Sequence, residues 1–297
     1  MWATRPNVCS VPQLSLSELL PYNCGLPKGH LVVVLKCYFD GSNQSDSTQY
    51  EYVTLAALAG TSHQWKMFDK DWRNNLRKHN AKWLHTTDAV AMNKPFSKED
   101  GWTSLKVGRF IRDCTKIAGR HIGRPITDTE SGRVGLYPYT VTIHIKDYIR
   151  ARDENEGLPV SLDEVLATEA INAVFKFGND FAGTEYFDLI YDQNEPYRGH
   201  ILDRQRHPKA VKVLQMFEKI ATNTEANMRL FPPLQLADLW AWCVSHKREE
   251  QIWKWQQKML NHPSDEAYGD YEKLSRPIQG TIDLVRKWKF PKRKRTR

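Results

Sequence analysis

The fold is decided by the stretch LVVVLKCYFDGS, residues 31–42. Its first eight residues are almost all apolar or β-forming, as is typical of a strand that is buried on both faces of a sheet. The apolar run ends at Phe39, and Asp40 and Gly41 then favour a turn. The sequence therefore predicts a buried strand over Leu31–Tyr38, with the carboxylate of Asp40 just beyond its end.

The segments that follow predict strands alternating with helices. Tyr50–Leu58 is a second strand candidate, which forms a hairpin with the first. The further expected elements are a helix over residues 63–79, a short strand Lys82–His85, a helix that includes Trp102 and Ala118, a strand Tyr137–Ile145, a loop Arg150–Pro159, a helix from Ser161 to about Phe177, a strand Tyr186–Tyr191, a helix Pro208–Ile220 and a helix of about Leu234–Ser245. This order is typical of a mixed β-sheet with helices packed on it, an α/β architecture.

Three segments are expected along the chain. Residues 1–29 carry Pro, Ser and Asn without a period and indicate an irregular N-terminal arm. Residues 30–247 hold the alternating strands and helices and predict one α/β domain. Residues 248–297 predict a helical extension that ends in a basic tail.

Composition excludes several classes of protein. With 40% hydrophobic and 11% aromatic residues, the 297-residue chain is not typical of a disordered protein. No stretch approaches the ~20 consecutive apolar residues of a spanning helix, so no membrane partner is expected. The five cysteines include no Cys-x-x-Cys pair, which favours a reducing cytoplasm over a disulfide framework or a zinc knuckle. Glycine-rich phosphate loops and the Gly-x-Ser-x-Gly motif are also lacking, so nothing favours a nucleotide triphosphatase or a serine hydrolase.

The positive charge is concentrated at the C-terminus. Eight of the 43 Lys and Arg residues lie in 286–297, so the remaining 35 equal the 35 acidic residues, and the formal net charge of +8 belongs to this tail. A basic tail attracts polyanions. We therefore expect nucleic acid as a partner, bound by Lys292, Arg293, Lys294 and Arg295. The alternative is a solvated terminus that only aids solubility.

Three aspartates fall where strands or helices place functional groups. Asp40 ends the first strand, Asp192 directly follows the strand Tyr186–Tyr191, and Asp238 lies inside an apolar helix. Burying an unpaired carboxylate is costly. A shared cation removes that cost, and oxygen ligands select Mg²⁺ or Mn²⁺. The alternative is that the strand-end acids only open turns and that Asp238 pairs with an arginine.

Two short motifs resemble the family called domain of unknown function 3800. Gln235-Leu236-Ala237-Asp238 matches its C-terminal Gln-x-x-Asp motif, whereas Phe39-Asp40-Gly41-Ser42 matches its first motif in part, since Gly41 stands where the family usually has Glu. Asp40-Gly41-Ser42 also resembles the opening motif of ribonuclease H. The resemblance covers roughly residues 31–247. It implies a ribonuclease H-like core and suggests a metal-dependent nuclease.

The resemblance also implies roles for individual residues. Asp40, Asp192 and Asp238 would hold Mg²⁺ or Mn²⁺, and Gln235 would orient a ligand or a bound water. In a ribonuclease H-like sheet the fourth strand lies beside the first and supplies the second Asp. Counting strands makes Tyr137–Ile145 the fourth, which nominates Asp147. Asp192 is preferred because it follows a more apolar strand.

Two further groups are candidates near this site. Glu195, in the loop after Asp192, is an additional candidate ligand. His85 and Asp88 are candidates for a general acid/base pair or a substrate contact. The alternative for this pair is a loop histidine with a capping aspartate.

The sequence thus predicts a metal-dependent nuclease that hydrolyses phosphodiester bonds. One alternative is a nucleic-acid-binding or protein-interaction module that keeps the fold without catalysis. Another is a metal-dependent hydrolase of a small phosphoester, which would need the same acids but not the basic tail.

Overall fold

The computed structural model describes residues 34–42, 50–122, 135–154, 161–177, 186–193, 199, 220–247, 253–262, 264–269 and 284–286. Outside the described residues lie the N-terminal arm 1–29, residues 208–219 of the expected helix Pro208–Ile220, Glu195, and the tail residues Lys292, Arg293, Lys294 and Arg295. Ile220 itself begins a strand.

The described residues form strands and helices in alternating order. The strands are β1 (Val34–Ser42), β2 (Tyr52–Thr61), β3 (Tyr137–His144), β4 (Tyr186–Asp192), β5 (Ile220–Ala226), β6 (Asp265–Gly269) and β7 (Leu284–Arg286). The helices are α1 (Ser62–His79), α2 (Thr86–Ala91), α3 (Ser104–His121), α4 (Ile145–Glu154), α5 (Leu162–Phe177), α6 (Pro232–Ser245) and α7 (Lys254–Leu260).

The described strands form one mixed sheet in the order β5-β4-β1-β2-β3-β6-β7. β2 pairs antiparallel with both β1 and β3, whereas β4 is parallel to β1 and β5 is parallel to β4. On the other side β6 is parallel to β3 and antiparallel to β7. The predicted α/β class, a mixed sheet with flanking helices, is confirmed.

The sheet separates two hydrophobic cores. Because side chains alternate along a strand, β1 sends Leu35, Cys37 and Phe39 into the core that contains residues of α4 and α5. Tyr38 belongs to the opposite core, which contains residues of α1, α3 and α6. Asp40 is two residues beyond Tyr38 and therefore faces the α6 side of the sheet.

Helix α1 begins and ends as its sequence dictates. Thr61 and Gln64 form a capping box at its first turn, and Asn80 closes it in the left-handed backbone region at φ 54°. Its inner face is lined by Trp65, Phe68, Trp72 and Leu76, all buried at helical spacing. The predicted helix over residues 63–79 is confirmed, and it brings the Trp72 indole to α6.

Four local expectations were wrong. The first strand does not end at Tyr38, because β1 continues to Ser42 and Asp40 pairs with Ala56 of β2 within it. Lys82–His85 is not a strand, because the Leu84 N–H bonds the side chain of Gln235 and not a neighbouring strand. Residues 150–154 continue α4 and are not part of a loop; Arg150 and Glu154 form an i,i+4 ion pair there. The C-terminal extension contains α7 but is not wholly helical, because β6 and β7 join the sheet. Among the described helices, none combines the length and hydropathy that crossing a membrane requires.

Candidate functional site

Asp40 lies near the end of β1, beside Asp192, which ends the neighbouring strand β4. Phe39 of β1 pairs with Tyr191 of the parallel strand β4, so the next residues, Asp40 and Asp192, follow in register. Neighbouring strands are ~4.8 Å apart. Phe39 and Tyr191 both enter the core on the α4 and α5 side. The two aspartates therefore share the opposite face, on which α6 packs.

The two strand-end carboxylates are anchored by backbone N–H groups. Oδ1 of Asp40, which is buried, accepts the Gly41 N–H at 2.8 Å. Oδ1 of Asp192 accepts the Met228 N–H at 2.7 Å. Met228 lies in the turn that leads from β5 into α6, so this bond ties the end of β4 to the start of α6.

Asp147 is placed elsewhere. It lies in the first turn of α4, and its Oδ2 is 2.8 Å from Nδ1 of His144. Helix α4 contributes Ile145 and Tyr148 to the core on the other side of the sheet. Since β4 and not β3 lies beside β1, the structure selects Asp192 over Asp147 as the neighbour of Asp40.

Asp238 is buried in α6 and caps α2. Pro232 and Pro233 occupy the first turn of α6, which is buried from Pro232 to Val244. Oδ2 of Asp238 accepts the Thr86 N–H at 2.6 Å and the Thr86 hydroxyl at 2.7 Å. Within the described part of the chain its partner is thus a helix N-terminus and not an arginine. The sequence prediction missed Thr86 as the partner of Asp238; Thr86 is the first residue of α2, after the N-cap His85, and no local pattern connects it to α6.

Asp238, Asp192 and His85 influence one another electrostatically. Burial raises the pKa of Asp238, and the Asp192 carboxylate adds to this rise. The charge of His85 and the two bonds from Thr86 act in the opposite direction without cancelling it. The Asp192 carboxylate therefore lies within electrostatic reach of Asp238.

His85 and Asp88 form the contact expected of an acid/base pair. Nδ1 of His85 is 2.7 Å from Oδ2 of Asp88, and both side chains are about one-third exposed. Burial, the largest single influence, lowers the pKa of His85. The carboxylates of Asp238, Asp88 and Asp192 outweigh it, so the pKa is raised overall. The Asp88 contact leaves Nε2 as the ring nitrogen available to a ligand.

Gln235, which the sequence predicts to orient a ligand or a bound water, is bound by three groups of the protein. Its Oε1 accepts the Trp72 indole N–H at 2.8 Å and the Leu84 N–H at 3.0 Å, and its Nε2 donates to the Met228 carbonyl at 2.9 Å. The side chain is 1% exposed. Both lone pairs of Oε1 are therefore used within the protein. Gln235 is a positioning residue that fixes α1, the segment before α2 and the turn before α6.

The donor set suits a hard cation, but the described residues do not form a closed metal cage. Among them, no group of three His, Cys, Asp or Glu side chains is arranged to hold a metal ion. Asp192 and Asp238 each have one oxygen committed to a protein donor. Their chemistry, oxygen only, is that of a Mg²⁺ or Mn²⁺ ligand.

A separate cleft of about 960 Å³ lies between α1, α3 and α7. Its lining includes Lys78, Asp113, Arg120, Lys258 and His262, and none of the three site aspartates. The acids therefore do not open into this cleft.

Comparisons with protein-family models, with curated proteins and with solved structures gave no match. The resemblance carried by the two short motifs stays a prediction.

Replacing Asp238 with Asn is expected to lower the pKa of His85, because the Asp238 carboxylate is the strongest influence that raises it. An NMR titration of the His85 imidazole in metal-free protein measures the shift. A histidine with a raised pKa stabilises the fold most fully below its unfolded value, about 6.5, and this contribution disappears as the pH rises through the folded value. In the control Asp147→Asn the pKa of His85 should not move; an unchanged value in Asp238→Asn contradicts the prediction.

Proposed function

We propose that this chain is a divalent-metal-dependent nuclease with a ribonuclease H-like core that hydrolyses phosphodiester bonds. One observation carries the proposal. Asp40 near the end of β1 and Asp192 at the end of the parallel strand β4 follow a pair in register, on the face of the sheet where α6 brings Asp238 within electrostatic reach of Asp192.

The order of the strands supports the ribonuclease H-like core. Of the five strands β3-β2-β1-β4-β5, the first three are antiparallel and the last two continue parallel to β1. The resemblance expects the fourth strand beside the first, with the second Asp at its end. With Lys82–His85 removed from the strand count, Tyr186–Asp192 is the fourth strand and ends in Asp192.

Asp40, Asp192 and Asp238 would hold the cofactor, Mg²⁺ or Mn²⁺. When bound, such a cation supplies the positive charge that activates water and stabilises a leaving oxygen in phosphodiester cleavage. Thr86 and Met228 fix the carboxylates of Asp238 and Asp192 through one oxygen each, which leaves the second oxygen of each for the cofactor.

His85 would serve as the proton donor in this site. Water adds to phosphorus and gives up a proton to the solvent, the bond from phosphorus to the leaving oxygen breaks, and that oxygen takes a proton from His85. Asp88, which is not one of the proposed cation ligands, raises the pKa of His85 through its hydrogen bond and its charge and so favours the protonated ring. Asp88 orients the ring through Nδ1, so Nε2 is the nitrogen that faces a substrate.

The partner and the compartment follow from charge and thiol chemistry. Lys292, Arg293, Lys294 and Arg295 would raise the affinity for nucleic acid in a salt-dependent way. The described cysteines, Cys37, Cys114 and Cys243, are buried free thiols, which supports a reducing cytoplasm.

A nucleic-acid-binding module without catalysis is the second candidate. It is favoured by Gly41, which stands where the family pattern has an acidic residue. It is also favoured by the hydrogen bonds from Met228 and Thr86, which already occupy one oxygen of Asp192 and one of Asp238. The two candidates differ in whether a divalent cation binds at the acids.

The test is to measure the melting temperature of the protein at increasing concentrations of Mn²⁺. A ligand of the native state stabilises it by about 2.7 kcal/mol at 100 times its dissociation constant. We expect Mn²⁺ to raise the melting temperature of the wild type and of the control Asp147→Asn, but not of Asp40→Asn/Asp238→Asn. If Mn²⁺ does not raise the melting temperature of the wild type, the metal site is overturned and the binding module is the remaining candidate.

A further inference from the structure

Two segments lie next to the acids and carry exposed residues. One is Lys82–Leu84, which leads to His85 and Thr86; the other is the turn 227–231, whose Met228 N–H bonds Asp192. Gln235 holds the two together, since it accepts the Leu84 N–H and donates to the Met228 carbonyl. Both segments are thereby fixed relative to the acids.

The residues next to these anchors stack on each other. Arg229 follows Met228, and its guanidinium carbon lies 4.9 Å from the centroid of the Trp83 ring. Arg229 is exposed and Trp83 is half-buried. A guanidinium over an aromatic face is a favourable cation–π arrangement, and its outer face is planar and unshielded.

The same surface continues into exposed apolar side chains. Leu230 is 64% and Phe231 41% exposed, although both directly precede a fully buried helix. Arg73 of α1 donates to the Leu230 carbonyl at 2.9 Å, which fixes the turn and adds a second guanidinium. We call Arg73, Trp83, Arg229, Leu230 and Phe231 the strand platform.

The chemistry of the strand platform selects its ligand. Arg73, Arg229 and the adjacent exposed Lys82 provide positive charge, and the neighbouring acid Asp69 is already paired with Arg73 at 2.7 Å. Phosphates are attracted by such cations, and unpaired bases stack on aromatic rings and on guanidinium planes. A duplex hides its base faces, so it cannot use this surface fully.

We propose that the strand platform binds single-stranded nucleic acid and holds it beside Asp40, Asp192 and Asp238. This inference rests on the proposed function, because it names the substrate class of that same site. It places an unpaired nucleotide next to the scissile bond and makes single strands the preferred substrate.

The test is the binding of a fluorescently labelled, single-stranded 12-nucleotide DNA or RNA, measured by anisotropy in EDTA so that no hydrolysis occurs. The test variant is Arg229→Ala/Leu230→Ala. The chain offers a closely matched control, Leu105→Ala/Lys106→Ala on α3: Leu105 is also 64% exposed, and Nζ of Lys106 lies 4.2 Å from the centroid of the Trp102 ring. Both pairs are at the surface, and melting temperatures check that both variants fold.

We expect the test variant to bind single strands about tenfold or more weakly, because each lost stacking contact carries an effect of this order. The control should stay within about twofold of the wild type. The basic tail is present in every variant and contributes equally. Equal binding by the test variant and the wild type, or tighter binding of a duplex than of a single strand, overturns the strand platform.

The failure of this inference and that of the proposed function are distinguishable. If Arg229→Ala/Leu230→Ala binds normally while Asp192→Asn abolishes hydrolysis, the nuclease stands and the strand platform does not. If the wild type binds single strands through the strand platform but Mn²⁺ neither binds nor supports hydrolysis, the strand platform stands on a binding module.

Discussion

Asp192→Asn is expected to lower Mn²⁺-dependent hydrolysis of labelled single-stranded RNA or DNA by about 100-fold or more. The substitution keeps an oxygen that can accept the Met228 N–H, so the turn before α6 is preserved. It removes the negative charge through which this residue would hold the cation, and interactions that stabilise transition-state charge contribute on the order of 10²–10³-fold. Initial rates at saturating Mn²⁺ measure the loss.

The structure supplies the matching control in Asp147→Asn. Asp147 also lies close to the end of a strand, since α4 begins directly after β3. Its carboxylate, however, pairs with His144. Its replacement should leave the rate within about twofold of the wild type. Equal losses in the two variants, or full activity in Asp192→Asn, would falsify the assignment of Asp192.

Gln235→Met is expected to lower the free energy of unfolding by about 3–5 kcal/mol. The substitution keeps the length of the side chain but leaves the Trp72 indole N–H, the Leu84 N–H and the Met228 carbonyl without their partner. Each buried polar group left unpaired costs about 1–3 kcal/mol. Urea unfolding followed by tryptophan fluorescence measures the difference.

Gln257→Met is the control for this measurement. Gln257 is exposed on α7, where a surface substitution changes stability by about 0.5 kcal/mol or less. A variant Gln235→Met that is as stable as the wild type but loses activity would restore the ligand-orienting role that the sequence predicted. Loss of stability assigns Gln235 to positioning.

Whether each site residue lies in a strand or in a helix was predictable, because strands and helices have characteristic local patterns of apolar residues. The apolar run before Asp40 and the one before Asp192 each have the composition of a buried strand, and both strands are present. For Asp238, inside an apolar helix, the sequence predicted a cation ligand or an arginine partner; among the described residues its partner is Thr86.

Partners distant in sequence were not predictable. The choice between Asp147 and Asp192 depended on which strand pairs with β1, and the mistaken strand Lys82–His85 shifted the count by one. The sequence predicts a ligand-orienting role for Gln235. Its three protein partners were not predictable, because they lie in segments that no local pattern connects to α6. The short strands β6 and β7 also depend on pairing with a distant edge, and strand propensity is weak in such short segments.

The order of the strands has a consequence for synthesis of the protein. β1 acquires β2 as a neighbour almost at once, but its other neighbour, β4, is about 150 residues further along the chain. Asp238 follows later still. Until those residues have been synthesised, the growing chain carries Asp40 without Asp192 and Asp238, and contacts so distant in sequence form slowly. The proposed cleavage of nucleic acid thus begins only after α6 has been synthesised and has packed against the sheet.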